Sequence, residues 1–189
     1  MTWLDARKEG SVYVSFGSRV VLTCKQMDEL AAGLEKSGVH FTLYVRQPKE
    51  KQVAGDYGEI SSGFEDRVAG RGYIIKGWAP QVSILRHPAV GTFLTHCGSA
   101  GVMMLTWPMG AEQFLNAQLL VEQLRVGIRV GEGNQNIPES GVLAEAVNGT
   151  RPERFRAKEL HDAVLGAVVK GGSSDKHLKD FVDSLYELK

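Results

Sequence analysis

Short apolar segments alternate with amphipathic ones along most of this chain. The β-branched and aromatic run Val12–Phe16 predicts a strand that stops at Gly17, and the spacing of leucine and alanine after Thr23 predicts a helix that reaches Ser37. Further strands are predicted at 39–45, 73–75, 91–95, 103–106 and 127–130, with helices at 80–85, 112–124, 140–148 and two more on either side of 171–174. This alternation predicts a parallel sheet with helices on both faces and ligand-binding loops after the strands.

Composition narrows the class of protein. The chain has 189 residues, enough for one domain with its own core, and 22 Lys plus Arg balance 22 Asp plus Glu. We therefore expect no nucleic-acid partner and no anionic membrane surface. Only Cys24 and Cys97 are present, which excludes a disulfide scaffold and a zinc site of the usual spacing. With no secretory signal or membrane-spanning run, we expect a cytoplasmic protein.

Two segments carry a specific motif. Residues 77–98 have the sequence GWAPQVSILRHPAVGTFLTHCG, and residues 106–117 have the sequence TWPMGAEQFLNA. Together they resemble the signature of plant family-1 UDP-glycosyltransferases, and the resemblance extends from residues 3–5 and 13–18 to 171–174. Within that family the chain looks most like the flavonoid and phenolic glucosyltransferases.

The resemblance implies a Rossmann-like parallel sheet, the C-terminal half of a GT-B type glycosyltransferase. It implies transfer of a hexose from a UDP-sugar to a hydroxyl of a small molecule such as a flavonoid, by inversion and without a metal. It places residues 1–10 in an interdomain linker, 11–170 in the donor-binding domain and 171–189 in a C-terminal helix. The acceptor-activating base would lie in an N-terminal domain, so no catalytic residue is assigned here. That domain would also cover the C-terminal helix, whose apolar face we expect to be exposed in this chain.

The residues after the third strand suit a nucleotide base. An indole on such a loop offers a flat platform, and stacking on a base contributes about 1 to 3 kcal/mol. In the family the tryptophan that matches Trp78 stacks on uracil, the backbone of the residue matching Ala79 binds the uracil edge, and the glutamine matching Gln81 lies near the ribose. The alternative is that Trp78 is a buried core tryptophan.

A diphosphate needs hydrogen-bond donors where negative charge develops, and His96 ends a predicted strand. The matching histidine of the family contacts the pyrophosphate, whereas a purely structural histidine is the alternative. Ser18, in a Gly-Ser turn, could donate to a phosphate or serve as a turn or N-cap serine. Gly98 and Ser99, which continue the motif, are also expected to bind the donor.

Glu112 and Gln113 offer a carboxylate beside a carboxamide, a combination that can match neighbouring sugar hydroxyls. In the family this pair holds the hexose, and glutamine at the second position is typical of UDP-glucose rather than UDP-galactose enzymes. The alternative is an ordinary polar first turn of a helix.

The chain departs from the family after Gly98. The family has a tryptophan, an asparagine, a serine and a glutamate on a helix at this point, and about eight of its residues have no counterpart here. Parallel strands normally need a crossover of at least about 10 to 12 residues. We therefore expect that the sheet rearranges locally, that one strand is lost, or that the sequence reflects a deletion, with reduced or absent activity.

Three hypotheses follow. The first is the donor-binding half of a UDP-glucose-dependent glycosyltransferase, with a UDP-sugar and a small-molecule acceptor as partners. The second is a truncated, non-catalytic protein that binds a nucleotide sugar or a partner protein. The third, a dinucleotide-dependent oxidoreductase, requires a GxGxxG turn after the first strand, and Phe16–Arg19 does not supply it.

Overall fold

A six-stranded parallel sheet forms the centre of the molecule. The computed structural model describes residues 2–17, 20–46, 58–96, 101–148 and 152–187. The strands are β1 (Ser11–Val14), β2 (Phe41–Val45), β3 (Gly72–Lys76), β4 (Val90–Thr95), β5 (Met103–Thr106) and β6 (Gly127–Arg129). The α-helices are α1 (Thr2–Asp5), α2 (Cys24–Ser37), α3 (Phe64–Arg67), α4 (Gln81–Leu85), α5 (Gln113–Gln118), α6 (Ser140–Asn148), α7 (Pro152–Val168) and α8 (Ser173–Glu187).

The strand order is β3-β2-β1-β4-β5-β6, and every neighbouring pair is parallel. The chain builds the sheet outward from β1 to β3, then returns to the other side of β1 and builds outward again to β6. This order confirms the predicted Rossmann-like parallel sheet. It creates a reversal point between β1 and β4, where ligands of such sheets bind outside the carboxyl ends of the strands.

The helix predicted from Thr23 to Ser37 is α2, and its start is set by a capping box. Thr23 Oγ1 accepts from the Gln26 backbone N–H at 3.2 Å, and the Thr23 N–H donates to Gln26 Oε1 at 3.0 Å. The helix ends at Gly38, whose φ of 70° is left-handed. Leu30 and Leu34 on one face of α2 are fully buried, so the helix is held by its apolar face as the sequence pattern indicates.

The two faces of the sheet bury separate apolar clusters because side chains of each strand alternate in direction. One cluster includes Phe41, Phe64 and Trp107 beneath α2, α3 and α6. The other includes Tyr13 and Phe93, whose rings stack at 5.3 Å beneath α1, α4 and α7. Helices therefore cover both faces, as the sequence predicts.

The connection between β4 and β5 corrects one expectation. Both strands are present and pair in parallel from Thr92 with Met103 to Thr95 with Thr106, so the predictions of a rearranged sheet or a lost strand are wrong. Seven residues, 96–102, join them. Seven residues can span at most about 23 to 25 Å, which exceeds the roughly 13 Å needed to return along the four residues of β5.

Other elements differ in detail from the predictions. The helix predicted at 112–124 is α5 followed by a π-helical turn at Leu119–Gln123, and the short helices α1 and α3 were not predicted. The C-terminal helix α8 carries an apolar stripe that is exposed, as expected: Leu178 is 62%, Phe181 60% and Leu185 48% accessible.

Candidate functional site

The carboxyl ends of β1 and β4 bring two predicted ligand-binding segments together. Gly17 follows β1 in a left-handed conformation with φ of 65°. A Cβ atom at this position would lie 3.1 Å from Nε2 of His96, which directly follows β4. The imidazole and the Gly17 backbone therefore face each other at the point where the strand order reverses.

The surroundings of His96 act on its pKa in opposite directions. Burial lowers the pKa below 6.5, while a hydrogen bond to the Phe16 carbonyl and the negative charge of Glu112 raise it. Burial is the largest of the three effects, so the free protein favours the neutral ring. The influence of Glu112 also shows that the start of α5, which this residue directly precedes, lies near the imidazole.

The connection from β3 to α4 places Trp78 in solvent. The indole is 82% accessible, so the alternative of a buried core tryptophan is wrong for this chain. It borders a cleft of about 250 Å³ together with Tyr73, Ile75 and Pro80. An exposed indole beside a cleft offers a face on which a planar ring can stack.

Ala79 and Gln81 are joined by a tight turn. Pro80 has φ of −75° and ψ of 68°, and the Gln81 N–H donates to the Ala79 carbonyl at 2.8 Å, which defines an inverse γ-turn. The turn starts α4 and directs Gln81 toward β1. There its Oε1 accepts a hydrogen bond from the Ser15 hydroxyl at 3.4 Å.

Ser15 was not singled out from the sequence as a site residue. Its side chain is 1% accessible, and its Oγ also accepts from the Gly17 N–H at 3.3 Å. Ser15 thus links the turn after β1 to the start of α4. Its position in the motif segment 13–18 was the available signal, but the sequence pattern does not show which strand end it faces.

Residues 107–112 form a loop anchored by Trp107. The indole is fully buried, packs edge-on against Phe16 at 5.5 Å and donates from Nε1 to the Gly133 carbonyl at 3.2 Å. Ala111 has a left-handed φ of 53°, a strained conformation for a residue with a Cβ atom. The strain directly precedes Glu112, the exposed carboxylate that acts on His96.

Gln113 folds back onto this loop. Its Oε1 accepts from the backbone N–H groups of Met109 at 2.8 Å and Gly110 at 3.2 Å. The carboxamide oxygen is therefore engaged within the protein, and the Nε2 donors are what Gln113 can offer a ligand. The sequence suggested a side chain that both donates to and accepts from a sugar, and the structure shows a narrower capacity.

The contacts that define this site join Ser15, Gly17, Gln81, His96 and Glu112. Trp78 and Ala79 lie on the same connection as Gln81, and Gln113 follows Glu112. The predicted residues Ser18, Gly98 and Ser99 lie outside the described part of the chain.

No metal cluster forms from the described residues: no three His, Cys, Asp or Glu side chains come together in an arrangement that could hold an ion. Within the same ranges, no helix has the length and apolar character needed to cross a membrane.

Comparison with known proteins identifies the family. The model of the family described as UDP-glucoronosyl and UDP-glucosyl transferase matches residues 3–131. The chain belongs to the UDP-glycosyltransferase family. Its sequence is 50% identical to the flavonol 3-O-glucosyltransferase UGT89B1 of Arabidopsis thaliana, over all of this chain and 42% of that protein. It is 42% identical to the flavonol 7-O-rhamnosyltransferase of the same plant, over 95% of this chain and 46% of that protein.

Solved UDP-glycosyltransferases have the same fold. UGT89C1 of Arabidopsis thaliana in complex with UDP-L-rhamnose superposes with a TM-score of 0.79 at 41% identity, covering 97% of this chain and 45% of that one. The chain thus spans less than half the length of the UDP-glycosyltransferases it matches. The match to UGT89B1 extends over 201 residues, twelve more than the chain contains. The relative therefore has residues for which this chain has no counterpart.

Proposed function

We propose that this chain is the donor-binding half of a UDP-glycosyltransferase that transfers glucose to a hydroxyl of a small phenolic molecule such as a flavonoid. The observation that carries the proposal is the meeting of Gly17 and His96 at the reversal point between β1 and β4. Ligands of doubly wound sheets bind at this point. The exposed indole of Trp78 lies on the same connection as Gln81, which contacts Ser15, and it suits the uracil of the donor.

His96 supplies the electrostatic part of the proposed mechanism. The acceptor oxygen attacks the anomeric carbon from the face opposite the leaving group, and the bond from that carbon to the β-phosphate oxygen breaks with inversion. The electron pair of the broken bond goes to the diphosphate. A protonated imidazole at the end of β4 stabilises this negative charge.

The ring of His96 already hydrogen-bonds the Phe16 carbonyl through one nitrogen. A neutral ring carries only one N–H, so a second hydrogen bond to phosphate requires the imidazolium. Glu112 favours that protonated form. Diphosphate binding should therefore be coupled to proton uptake by His96. We assign removal of the acceptor proton to a base in a domain outside this chain, as the resemblance implies.

Glucose is the proposed sugar because Glu112 and Gln113 have the side chains of the UDP-glucose form of the motif. Relatives of this chain are named both as glucosyltransferases and as a rhamnosyltransferase. UGT89C1 has been solved separately with UDP-L-rhamnose and with quercetin, a flavonoid. These names support a flavonoid acceptor, and titration with different UDP-sugars decides the sugar.

The second candidate function is a non-catalytic protein that binds a nucleotide sugar or a partner. The short β4–β5 connection favours it, since the family motif has phosphate- and ribose-binding residues at that point. The exposed stripe of α8 is the surface that a partner would cover. Turnover distinguishes the two functions: the first requires it when the acceptor half is supplied, and the second does not.

Calorimetric titration of the purified chain with UDP and UDP-glucose tests donor binding. Trp78→Ala removes the stacking platform and should weaken UDP binding by about 1 to 3 kcal/mol, or roughly five- to hundredfold. The matched control is Phe155→Ala, which removes another exposed aromatic ring, 67% accessible, on α7. Equal affinity in both variants would refute the assignment of Trp78.

A version with the eight family residues restored after Gly98 completes the experiment. If the original chain binds UDP and Trp78→Ala does not, the donor site survives the short connection. If only the restored version binds UDP, this chain has the fold of the family without its donor site. Of the second candidate function, only binding of a partner protein would then remain. UDP-galactose and UDP-rhamnose, titrated in parallel, test the preference for glucose.

A further inference from the structure

A second cleft lies at the amino ends of the central strands, whereas the donor site lies at their carboxyl ends. It has a volume of about 570 Å³, within the range of small-molecule pockets, and is bordered by the starts of β4 and β5, the end of α4 and the first turns of α7. β4 has six residues, so the two sites are about 20 Å apart along the strand. The cleft lies between α4 and α7, beside the short connection that enters β5 at Gly101 and Val102.

The charged lining of this cleft is predominantly basic. Of the residues that the structure describes, Arg86, Arg154 and Lys158 border it together with one carboxylate, Glu9, which gives a net charge of +2 with neutral histidines. Among the described residues, none of the three cations has an ion-pair or hydrogen-bond partner for its side chain. Three positive groups thus converge on one open space without a partner.

Of the three cations, Arg154 has its positive charge in the least favourable surroundings. Its Nε is buried with no hydrogen-bond partner, and burial lowers the pKa of the guanidinium. It also lies in the first turn of α7, where the helix dipole disfavours a positive charge. A half-buried, unpaired cation at a helix N-terminus is stabilised by an anion placed beside it.

The two histidines of the cleft do not accept hydrogen bonds from the three cations. His87 is engaged at both ring nitrogens, by Asp5 at 2.9 Å and by the Ala89 N–H at 3.1 Å. His161 packs directly against the backbone of Gly101. The cations therefore remain available to a ligand from solvent.

We propose that this cleft binds the phosphate group of a small phosphorylated molecule through Arg154, Lys158 and Arg86. Guanidinium groups present planar pairs of donors that match phosphate oxygens, and Lys158 adds a mobile point charge. The volume exceeds that of a phosphate ion alone, so a phosphate ester occupies the cleft better than the free ion. This site is independent of the proposed donor site, because it shares no residue with it.

The test is thermal unfolding of the intact chain at constant ionic strength, with sodium chloride replaced stepwise by inorganic phosphate, glycerol 3-phosphate or acetate. A ligand of the folded state raises Tm in a saturable way. We expect both phosphate compounds to do so, glycerol 3-phosphate at lower concentration, and acetate to have no such effect. An equal response to acetate, or none to either phosphate compound, would overturn the proposal.

Charge-removing variants locate the response. Arg154→Gln and Lys158→Gln should each weaken the apparent affinity at least tenfold, while Lys176→Gln, which removes an exposed charge on α8, should not change it. Since Arg154 is half-buried, Arg86→Gln provides a third test at an exposed residue. His96→Gln should retain the full response. Loss of the response in His96→Gln, or its retention in all three cleft variants, would place the phosphate elsewhere and refute the proposal.

Discussion

Replacing Gly17 by alanine tests the arrangement of the candidate donor site most directly. Two effects follow from the structure. The residue has φ of 65°, where an amino acid with a Cβ atom is destabilised by about 1 to 2 kcal/mol. The new Cβ would also lie 3.1 Å from Nε2 of His96, closer than ordinary contact, so the imidazole must shift by a few tenths of an ångström.

The shift should matter more for ligand binding than for folding. If His96 donates to the diphosphate, displacing it weakens a hydrogen bond to a charged group, which contributes about 1.5 to 3 kcal/mol. The dissociation constant for UDP should then rise by about ten- to hundredfold. The free energy of unfolding should fall mainly by the backbone contribution.

Gly38→Ala is the matched control. Gly38 has nearly the same φ, 70°, but a Cβ there would meet no atom within 4 Å. Urea denaturation should show a similar loss of about 1 to 2 kcal/mol in both variants, while calorimetry should show weakened UDP binding in Gly17→Ala alone. If both variants bind UDP as tightly as the original chain, the contact between Gly17 and His96 does not shape a diphosphate site.

Two further predictions concern single side chains. Because burial lowers the pKa of His96 in the folded chain, a larger fraction of this histidine is protonated in the unfolded chain than in the folded chain at pH values between the folded pKa and about 6.5. Stability should therefore fall as the pH drops below 6.5, and urea denaturation of His96→Gln should show a weaker pH dependence; an unchanged profile would contradict this. Gln113→Ala should lower the free energy of unfolding by about 1 to 2 kcal/mol, since two backbone N–H groups lose their acceptor. Gln113→Glu keeps an acceptor oxygen, so its free energy of unfolding should stay within about 0.5 kcal/mol of the original value. Equal losses in both Gln113 variants would show that the acceptor is not what stabilises the loop.

Several features could be predicted from local sequence. The alternation of apolar strands and amphipathic helices gave the parallel sheet, because side-chain periodicity is a property of neighbouring residues. The spacing of leucine and alanine after Thr23 predicted α2 for the same reason. The motif around Trp78 and His96 was also visible in the sequence, and strand ends are where such residues bind ligands.

Other features depend on residues far apart in the chain. Gly17 and His96 are 79 positions apart and meet only because β4 lies beside β1. The engagement of the Gln113 oxygen by its own loop depends on the loop path, and so does the Coulombic contact of Glu112 with His96. No periodicity in the sequence encodes these relations.

The connection between β4 and β5 shows the difference most clearly. Its length and departure from the family pattern were determined by the sequence, and they argued against a parallel pair. The sheet nevertheless retains both strands in register, because a chain of seven residues is long enough for the return and the pairing buries Phe93 and Met104 beneath the helices. Chain length sets which connections are possible, while burial of apolar surface across the whole sheet decides which one forms.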